Sequence, residues 1–326
     1  MSQHDAPPES PGPIPDEDEV RSWFGSLSNW GRWGPDDERG TLNHVTAQQR
    51  LAAAALVRSG ESVSCAWDID PARRPDQPFG PPQRFMLSTG EGLGDPDRVG
   101  GPVEGGGTAE YLGLVFHGYQ VTHLDGLCHK HWNGRFYNGV PAAAVTASRG
   151  ATRLAVNAIP EGFTTRGVLL DVADARGGPW LEPGQGVLPA DLDAAAAAQG
   201  VQVGQGDVVL LRTGYGRKVR RQGPDAVGEV GRAGWHAACL PWLHERRVAA
   251  IGADTAQDVI PSGYRMRNPV HLVGIVAMGL WLIDNCDLEP LVEACHRLGR
   301  WEFLLTVAPL RVSGGTGSPV NPIATF

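Results

Sequence analysis

The sequence predicts an α/β fold built on a mixed β-sheet with surrounding helices, and three features carry that prediction. Short β-prone apolar runs recur through the second half of the chain: Val168-Leu-Leu-Asp-Val172, Asp207-Val-Val-Leu-Leu-Arg212, Val248-Ala-Ala-Ile-Gly-Ala253, Gly279-Leu-Trp-Leu-Ile283 and Phe303-Leu-Leu-Thr-Val307. Helical patterns over 190–199, 234–246, 269–278 and 288–298 fall between them, and strands broken by helices at this spacing build an α/β domain. Hydrophobic residues make up 41% of the 326, enough for a sizeable core, so the 44 glycines and 26 prolines mark turns and irregular connections within it.

In chain order, residues 1–19 are Pro-rich and acidic with almost nothing to bury, and are expected to form a disordered or loosely tethered tail. An aromatic, Gly-rich stretch, Ser28 to Asn43, follows without helical or strand period. Thr46 to Ser59 reads as a helix capped by Thr46 and stopped by Gly60. Residues 62–69 read as a strand, 70–107 as a long Pro/Gly loop, and Tyr111-Leu-Gly-Leu-Val-Phe116 as a further strand. The Ala-rich helix over 190–199 is closed by Gly200. No internal repeat or clean linker follows residue 20, so 20–326 is expected to be one domain.

Charge and cysteine usage exclude several function classes. With 28 basic and 36 acidic residues the net charge is −8, and no Lys/Arg run is present, which argues against nucleic acid or an anionic membrane as partner. No apolar run reaches membrane-spanning length, and the charged-then-apolar pattern of a signal peptide is missing from the N-terminus. Five scattered cysteines without Cys-x-x-Cys spacing fit reduced thiols, so a cytoplasmic protein acting on a small molecule is expected.

The chemistry concentrates in Thr122-His-Leu-Asp-Gly-Leu-Cys-His-Lys-His131, with His117 just upstream. On an extended chain residues 117, 119, 121, 123 and 125 share a face, so His123 and Asp125 offer an imidazole nitrogen and a carboxylate oxygen side by side. Such a pair suits zinc, manganese or iron better than calcium or magnesium, although a His-x-Asp pair is also a common hydrogen-bonded core couple. His129 lies beyond the expected strand end, and an imidazole with an unperturbed pKa near 6.5 suits general acid–base work. The alternative for His129 is a fourth metal ligand. Cys128 is either a thiol nucleophile or a packed thiol, its apolar neighbour Leu127 favouring the second. Trp30 and Trp33 can roof an aromatic or cyclic substrate, or seal a subunit interface.

These residues resemble the motif of the cyclase family of metal-dependent hydrolases, which includes bacterial kynurenine formamidase and isatin hydrolase. The family motif His-x-Gly-Thr-His-x-Asp-x-Pro-x-His is matched by Thr122-His123-Leu124-Asp125 and by His129; Tyr119, Val121 and Leu127 depart from it. The long-chain branch is similar also in Asn29-Trp-Gly-Arg-Trp-Gly34, Asp37 to Asn43, Tyr137-Asn-Gly139 and Thr316-Gly-Ser-Pro-Val-Asn-Pro322. The resemblance implies a swivelling β/β/α fold, a divalent metal ion (zinc or manganese first), and His129 as the proton-transfer residue. It also implies further ligation from His271 and from Asp284, where the family has Glu. Because Tyr119 replaces the first histidine, His117 becomes a candidate either for the metal or, with Tyr119, for substrate contact. The activity implied is hydrolysis of an amide, formamide, cyclic imide or lactone. A biosynthetic cyclase, dehydratase or isomerase with a weakened or absent metal site is the alternative. A homodimer or homotetramer is expected from the same resemblance.

Overall fold

The computed structural model describes residues 14–97, 99–101, 103–225 and 230–326. Residues 1–13 of the expected tail lie outside the described residues, and its last residues are corrected. The Pro15 carbonyl accepts from the Tyr264 hydroxyl, and helix α1, Glu17–Ser26, starts inside the acidic run. Asp16 caps it by accepting from the Glu19 N–H, the first-turn acids face the positive end of the helix dipole, and Val20 and Trp23 bury its inner side. Helix α2, Ala47–Ala54, has Thr46 at its N-cap with Gln49 completing a capping box, and ends earlier than expected.

The strands, in chain order, are β1 Ser62–Ser64, β2 Gln83–Ser88, β3 Ala109–Gly113, β4 His123–Asp125, β5 Val145–Thr146, β6 Gly150–Ala151, β7 Phe163–Asp171, β8 Gly186–Val187, β9 Val208–Arg212, β10 Gly234–Trp235, β11 Ala250–Ala253, β12 Trp281–Asp284, β13 Glu302–Val307, β14 Gly317–Pro319 and β15 Ile323–Thr325. The remaining helices are α3 Val172–Ala175, α4 Pro189–Gln199, α5 Tyr215–Gln222, α6 Cys239–Glu245, α7 Pro269–His271 and α8 Glu289–Leu298; α7 runs on into π-helical turns over Leu272–Met278. Nine strands form the main sheet in the order β1-β15-β13-β7-β9-β11-β12-β4-β14. Its middle, β7-β9-β11-β12, is parallel, and antiparallel strands extend it on both sides. The mixed sheet expected from the sequence is therefore present. The parallel strands β9, β11 and β12 are buried along their whole length, which is why they read as unbroken apolar runs.

Three expectations are revised. The long loop over 70–107 contains β2, which pairs with β3 in a two-stranded arm whose residues are exposed along nearly all their length. The helix expected over 234–246 starts only at Cys239, because Gly234 and Trp235 pair with β8. The expected strand over 62–69 is limited to the three residues of β1.

Buried charge fixes the C-terminal ends of the parallel strands. Arg212, at the end of β9, donates to Asp171 at the end of β7 (2.8 Å) and to both carboxylate oxygens of Glu289 on α8 (2.8 and 3.0 Å). Asp254, just past β11, accepts from the backbone N–H groups of Thr213, Gly214 and Tyr215 (2.9, 2.8 and 3.0 Å), and burial raises its carboxyl to about 6.

The opposite ends are tied by the aromatic stretch of residues 29–43. Thr41 bonds the Ala249 and Gly279 carbonyls, and the Trp281 indole N–H donates to the Arg39 carbonyl. Gly279 has φ +67° and packs against Gly40 and Tyr137, a Cβ there lying 2.6 Å from the Tyr137 ring and 2.9 Å from the Gly40 Cα. Gly279→Ala is thus expected to lower unfolding free energy by about 2–4 kcal/mol, combining the left-handed backbone penalty with overpacking. Gly60→Ala, at φ +74° with open space around it, should cost only the backbone part, about 1–2 kcal/mol. Denaturant unfolding of the two variants checks this: equal losses would rule out the close-packing role of Gly279.

Candidate metal centre

Strand β4 is three residues long and lies antiparallel between β12 and β14, opposite Leu282 to Asp284 on one side and Gly317 to Pro319 on the other. Its alternation turns His123 and Asp125 to one face. The register sets Asp284 across from His123, so the end of β12 delivers a carboxylate to the same place. The first turn of α7, which begins just past the C-terminal ends of β11 and β12 in space, adds His271. The crevice outside the carboxyl ends of parallel strands is where open α/β sheets gather ligands.

His117 arrives differently from the expectation. Residues 117–121 form successive bends and no strand, so their side chains do not alternate along one face. The bends carry His117 directly to Asp125, with Nδ1 2.9 Å from Oδ1. Thus His117, listed above for metal or substrate, joins His123 and Asp125 as one group whose donor atoms lie within 4.8 Å of one another, while Asp125, His271 and Asp284 form a second such group. Asp125 is shared. His123 Nε2 is 3.5 Å from Asp125 Oδ1 and 3.8 Å from Asp284 Oδ2; His271 Nε2 is 3.5 Å from Asp125 Oδ2 and 3.3 Å from Asp284 Oδ2.

The outward-facing atoms of these side chains are hydrogen-bonded, which fixes what the inner atoms present. His123 Nδ1 donates to the Val121 carbonyl (2.8 Å), leaving Nε2 for the centre. His271 Nδ1 meets Asp258 at 2.5 Å, and Asp258 also accepts from the Val270 and His271 backbone N–H groups. The Gln257 amide donates to Asp284 Oδ1 (3.0 Å), turning Oδ2 inward, and His117 Nε2 meets the Thr316 hydroxyl at 3.0 Å. Such partners set imidazole tautomer and ring orientation around metals. Asp258, Gln257 and Thr316 were not singled out from the sequence. Thr316 lies in the quoted C-terminal motif; Asp258 and Gln257 carry no local signal.

Both oxygens of Asp125 and Nδ1 of His117 are buried without a well-aligned hydrogen bond among the described residues, although Nδ1 and Oδ1 lie 2.9 Å apart. Three imidazole nitrogens and two carboxylates whose inner atoms face only one another are a donor set that a divalent zinc, manganese or iron ion satisfies. Burial opposes charge on Asp125, but His129, His117, His123 and His271 around it outweigh that and hold its carboxyl well below the usual range. For His271, burial works against the proton, yet Asp284 and Asp258 prevail and raise it to about 10.

His129 sits at the rim. Its ring stacks on His117 (centroids 3.9 Å apart, 12° between planes), and Nε2 lies 3.7 Å from Asp125 Oδ2. Burial lowers it to about 2 against the pull of Asp125, so the near-neutral ionisation expected of this imidazole is corrected: it is a neutral base across the working range. Cys128 is buried with its thiol pushed up to about 12, which fits a packed residue. Tyr119 is half-buried and its hydroxyl finds no hydrogen-bond partner among the described residues; burial raises its pKa, Arg232 opposes, and Asp284 and Asp258 reinforce. Trp30 and Trp33 do not roof the cluster in this chain. The Trp30 indole donates to the Val276 carbonyl and Trp33 packs edge-on against His44, in the stretch tied to the N-terminal ends of β11 and β12.

Comparison with known proteins places this geometry. Residues 68–257 match the family model Cyclase, described as "Putative cyclase". A crystal structure of a novel cyclase is 34% identical, covering 93% of this chain and 99% of its own, with a TM-score of 0.83. Isatin hydrolase A from Ralstonia solanacearum (21% identical, 86% and 97% covered, TM-score 0.56) and from Labrenzia aggregata (18%, 86% and 98%, 0.56) share the fold. No curated protein matches the chain. The matched model and the 34% identity over nearly the whole length show that the chain belongs to the cyclase family.

Proposed function

We propose that the chain is a metal-dependent hydrolase that opens a C–N or C–O bond at a carbonyl of a small molecule, an amide, formamide, cyclic imide or lactone. The observation that carries this is Asp125: a buried carboxylate whose oxygens face only the imidazoles of His117, His123, His129 and His271. His117, His123, Asp125, His271 and Asp284 would hold the ion. A divalent ion in such a site polarises a carbonyl and makes water acidic enough to react at neutral pH. His129 Nε2 takes the proton from water; burial makes the imidazolium costly, so the proton passes on to the leaving group. The isatin hydrolases that share the fold are hydrolases by name, in keeping with this reading. The alternative, a biosynthetic cyclase, dehydratase or isomerase with a weakened metal site, rests on the missing first histidine; His117 beside Asp125 supports the hydrolase reading over it.

His123→Ala and Asp125→Ala should lose the metal, and with it chelator-sensitive hydrolysis of an amide and lactone panel. His129→Ala should keep metal content while the rate falls by roughly 10²–10⁴-fold, the usual range for a general acid–base group. Wild-type protein that carries no transition metal and hydrolyses the panel equally with chelator would sink the proposal.

Metal uptake should release protons. With His271 raised to about 10, its Nε2 holds a proton at pH 7 in the metal-free chain, and a cation must displace it. Affinity is therefore expected to rise by up to about tenfold per pH unit between pH 7 and 9 and to level off near pH 10. Calorimetry in buffers of different ionisation enthalpy measures this; an affinity flat over that range would reject the protonated His271.

A homodimer or homotetramer remains our expectation, supported by the β2–β3 arm, which exposes Phe85, Met86, Leu87, Tyr111 and Leu112 to solvent. Light scattering should give a mass of at least twice the 34.7 kDa of one chain. A one-chain mass at working concentration refutes it. Five buried, free cysteines suit a reducing compartment, the cytoplasm.

A further inference from the structure

A second polar pocket lies close to the cluster. The backbone of Arg232 pairs in both directions with Ile260, and Trp235 pairs with Asp258, the partner of His271, so this segment runs beside the one that supports the metal centre. The Arg232 side chain is 3% exposed and lies over the Tyr215 ring, 4.1 Å from its centroid. With Lys218, Asp225 and Thr255 these two residues line a small open cleft with about 10 Å³ of space inside, room for little more than the oxygen end of a ligand that enters from its mouth.

The cations there are buried more deeply than the acids they face. Lys218 Nζ pairs with Asp225 Oδ2 at 3.0 Å, while Arg232 Nη1 stands 3.7 Å from the same oxygen, beyond hydrogen-bond reach. The other acid near Lys218, Glu182, is 3.5 Å away and 62% exposed. Lys218 and Arg232 are thus buried, whereas the acids near them, Asp225 and Glu182, are 25% and 62% exposed. Arg232 Nη1 and the hydroxyls of Tyr215 and Thr255 are buried without hydrogen-bond partners among the described residues. Buried donors without acceptors are costly, and a guanidinium beside two hydroxyls is the donor set for a small oxyanion. The Thr255 carbonyl accepts from the Asn285 N–H (3.0 Å), beside Asp284, so the wall of this cleft adjoins the metal cluster.

We propose that this cavity is an oxyanion subsite, and that the substrate opened at the metal cluster carries a carboxylate held there by Arg232, Tyr215 and Thr255. The substrate assignment rests on the hydrolase reading above. In metal-loaded protein, millimolar acetate or benzoate should raise the melting temperature more than chloride at equal ionic strength. Arg232→Gln and Tyr215→Phe should weaken that effect at least tenfold in anion concentration with metal content unchanged. Tyr215→Phe removes only a hydroxyl and keeps the test open should Arg232→Gln not fold. In matched amide and lactone pairs, kcat/KM should favour the carboxylate-bearing member at least tenfold, and the preference should shrink in Tyr215→Phe. No carboxylate effect on wild type, equal effects in wild type and variants, or stabilisation by inorganic phosphate alone overturns the proposal. Metal-dependent hydrolysis without preference for the carboxylate overturns the subsite and leaves the hydrolase reading standing. Carboxylate binding without metal-dependent hydrolysis overturns the hydrolase reading, and the substrate assignment with it.

Discussion

The buried charge of Asp125 is the constraint around which this end of the molecule is arranged. A carboxylate taken out of water without hydrogen bonds costs several kcal/mol unless positive charge or a metal compensates it. The Asp125 side chain is 1% exposed and meets only imidazoles, His117 Nδ1 nearest at 2.9 Å, on a strand of three residues whose backbone is satisfied by β12 and β14. Its compensation comes from side chains brought from residues 117, 123, 129 and 271. His271 contributes the least of the four, and a divalent ion among them would add far more. The same pocket is consequently a poor hydrophobic core and a good cation site.

Compensation works only if the imidazoles cannot turn away, and the hydrogen bonds behind them see to that. The anchors range from local to distant: Val121 for His123 two residues away, Asp258 for His271, Gln257 for Asp284, and Thr316 for His117 from the far C-terminal motif. This gives a physical reason for the C-terminal motif. Gly317 lies against β4 so closely that a Cβ would sit 2.6 Å from the Leu124 carbonyl oxygen and 2.8 Å from the His117 ring. A side chain there would push His117 off Asp125. The Asn29–Gly34 and Tyr137–Gly139 segments serve the opposite ends of the strands instead: Asn138 donates to the Gly34, Pro35 and Asp37 carbonyls and Tyr137 donates to Asp37.

What was legible in the sequence follows from the range of the interaction that decides each feature. The parallel strands and α4 could be read because burial on both faces and a glycine C-cap leave local patterns, Gly200 taking φ +66° as the helix end requires. His123, Asp125 and His129 could be read because their spacing along the chain is short. The start of α1 had a local signal, Asp16 followed by three acids, which the Pro-rich composition around it masked. Asp258 and Gln257 had none: their roles exist only because α7 and β12 pack beside them. His117 was ambiguous because the bends over 117–121 break the alternation on which a strand-based reading depends. Of the β2–β3 arm, β3 was read in part from Tyr111 to Phe116, whereas β2 was hidden because it is exposed along its whole length and sits among turn-forming residues.

The two histidines at the ends of the cluster divide acid from base by environment alone. His271 lies between Asp258 and Asp284, whose charges overcome burial and keep a proton on the ring. His129, stacked on His117 at the rim, has only the more distant pull of Asp125 against burial and stays neutral. Pairs of like groups pushed apart in this way are how a single site separates a proton holder from a proton acceptor. A cation in the centre would have to displace the His271 proton, and by taking up charge on Asp125 it would weaken the one interaction that favours an imidazolium at His129. Both rings face that carboxylate, so their opposite shifts come from what else surrounds each: two further carboxylates at His271, burial at His129.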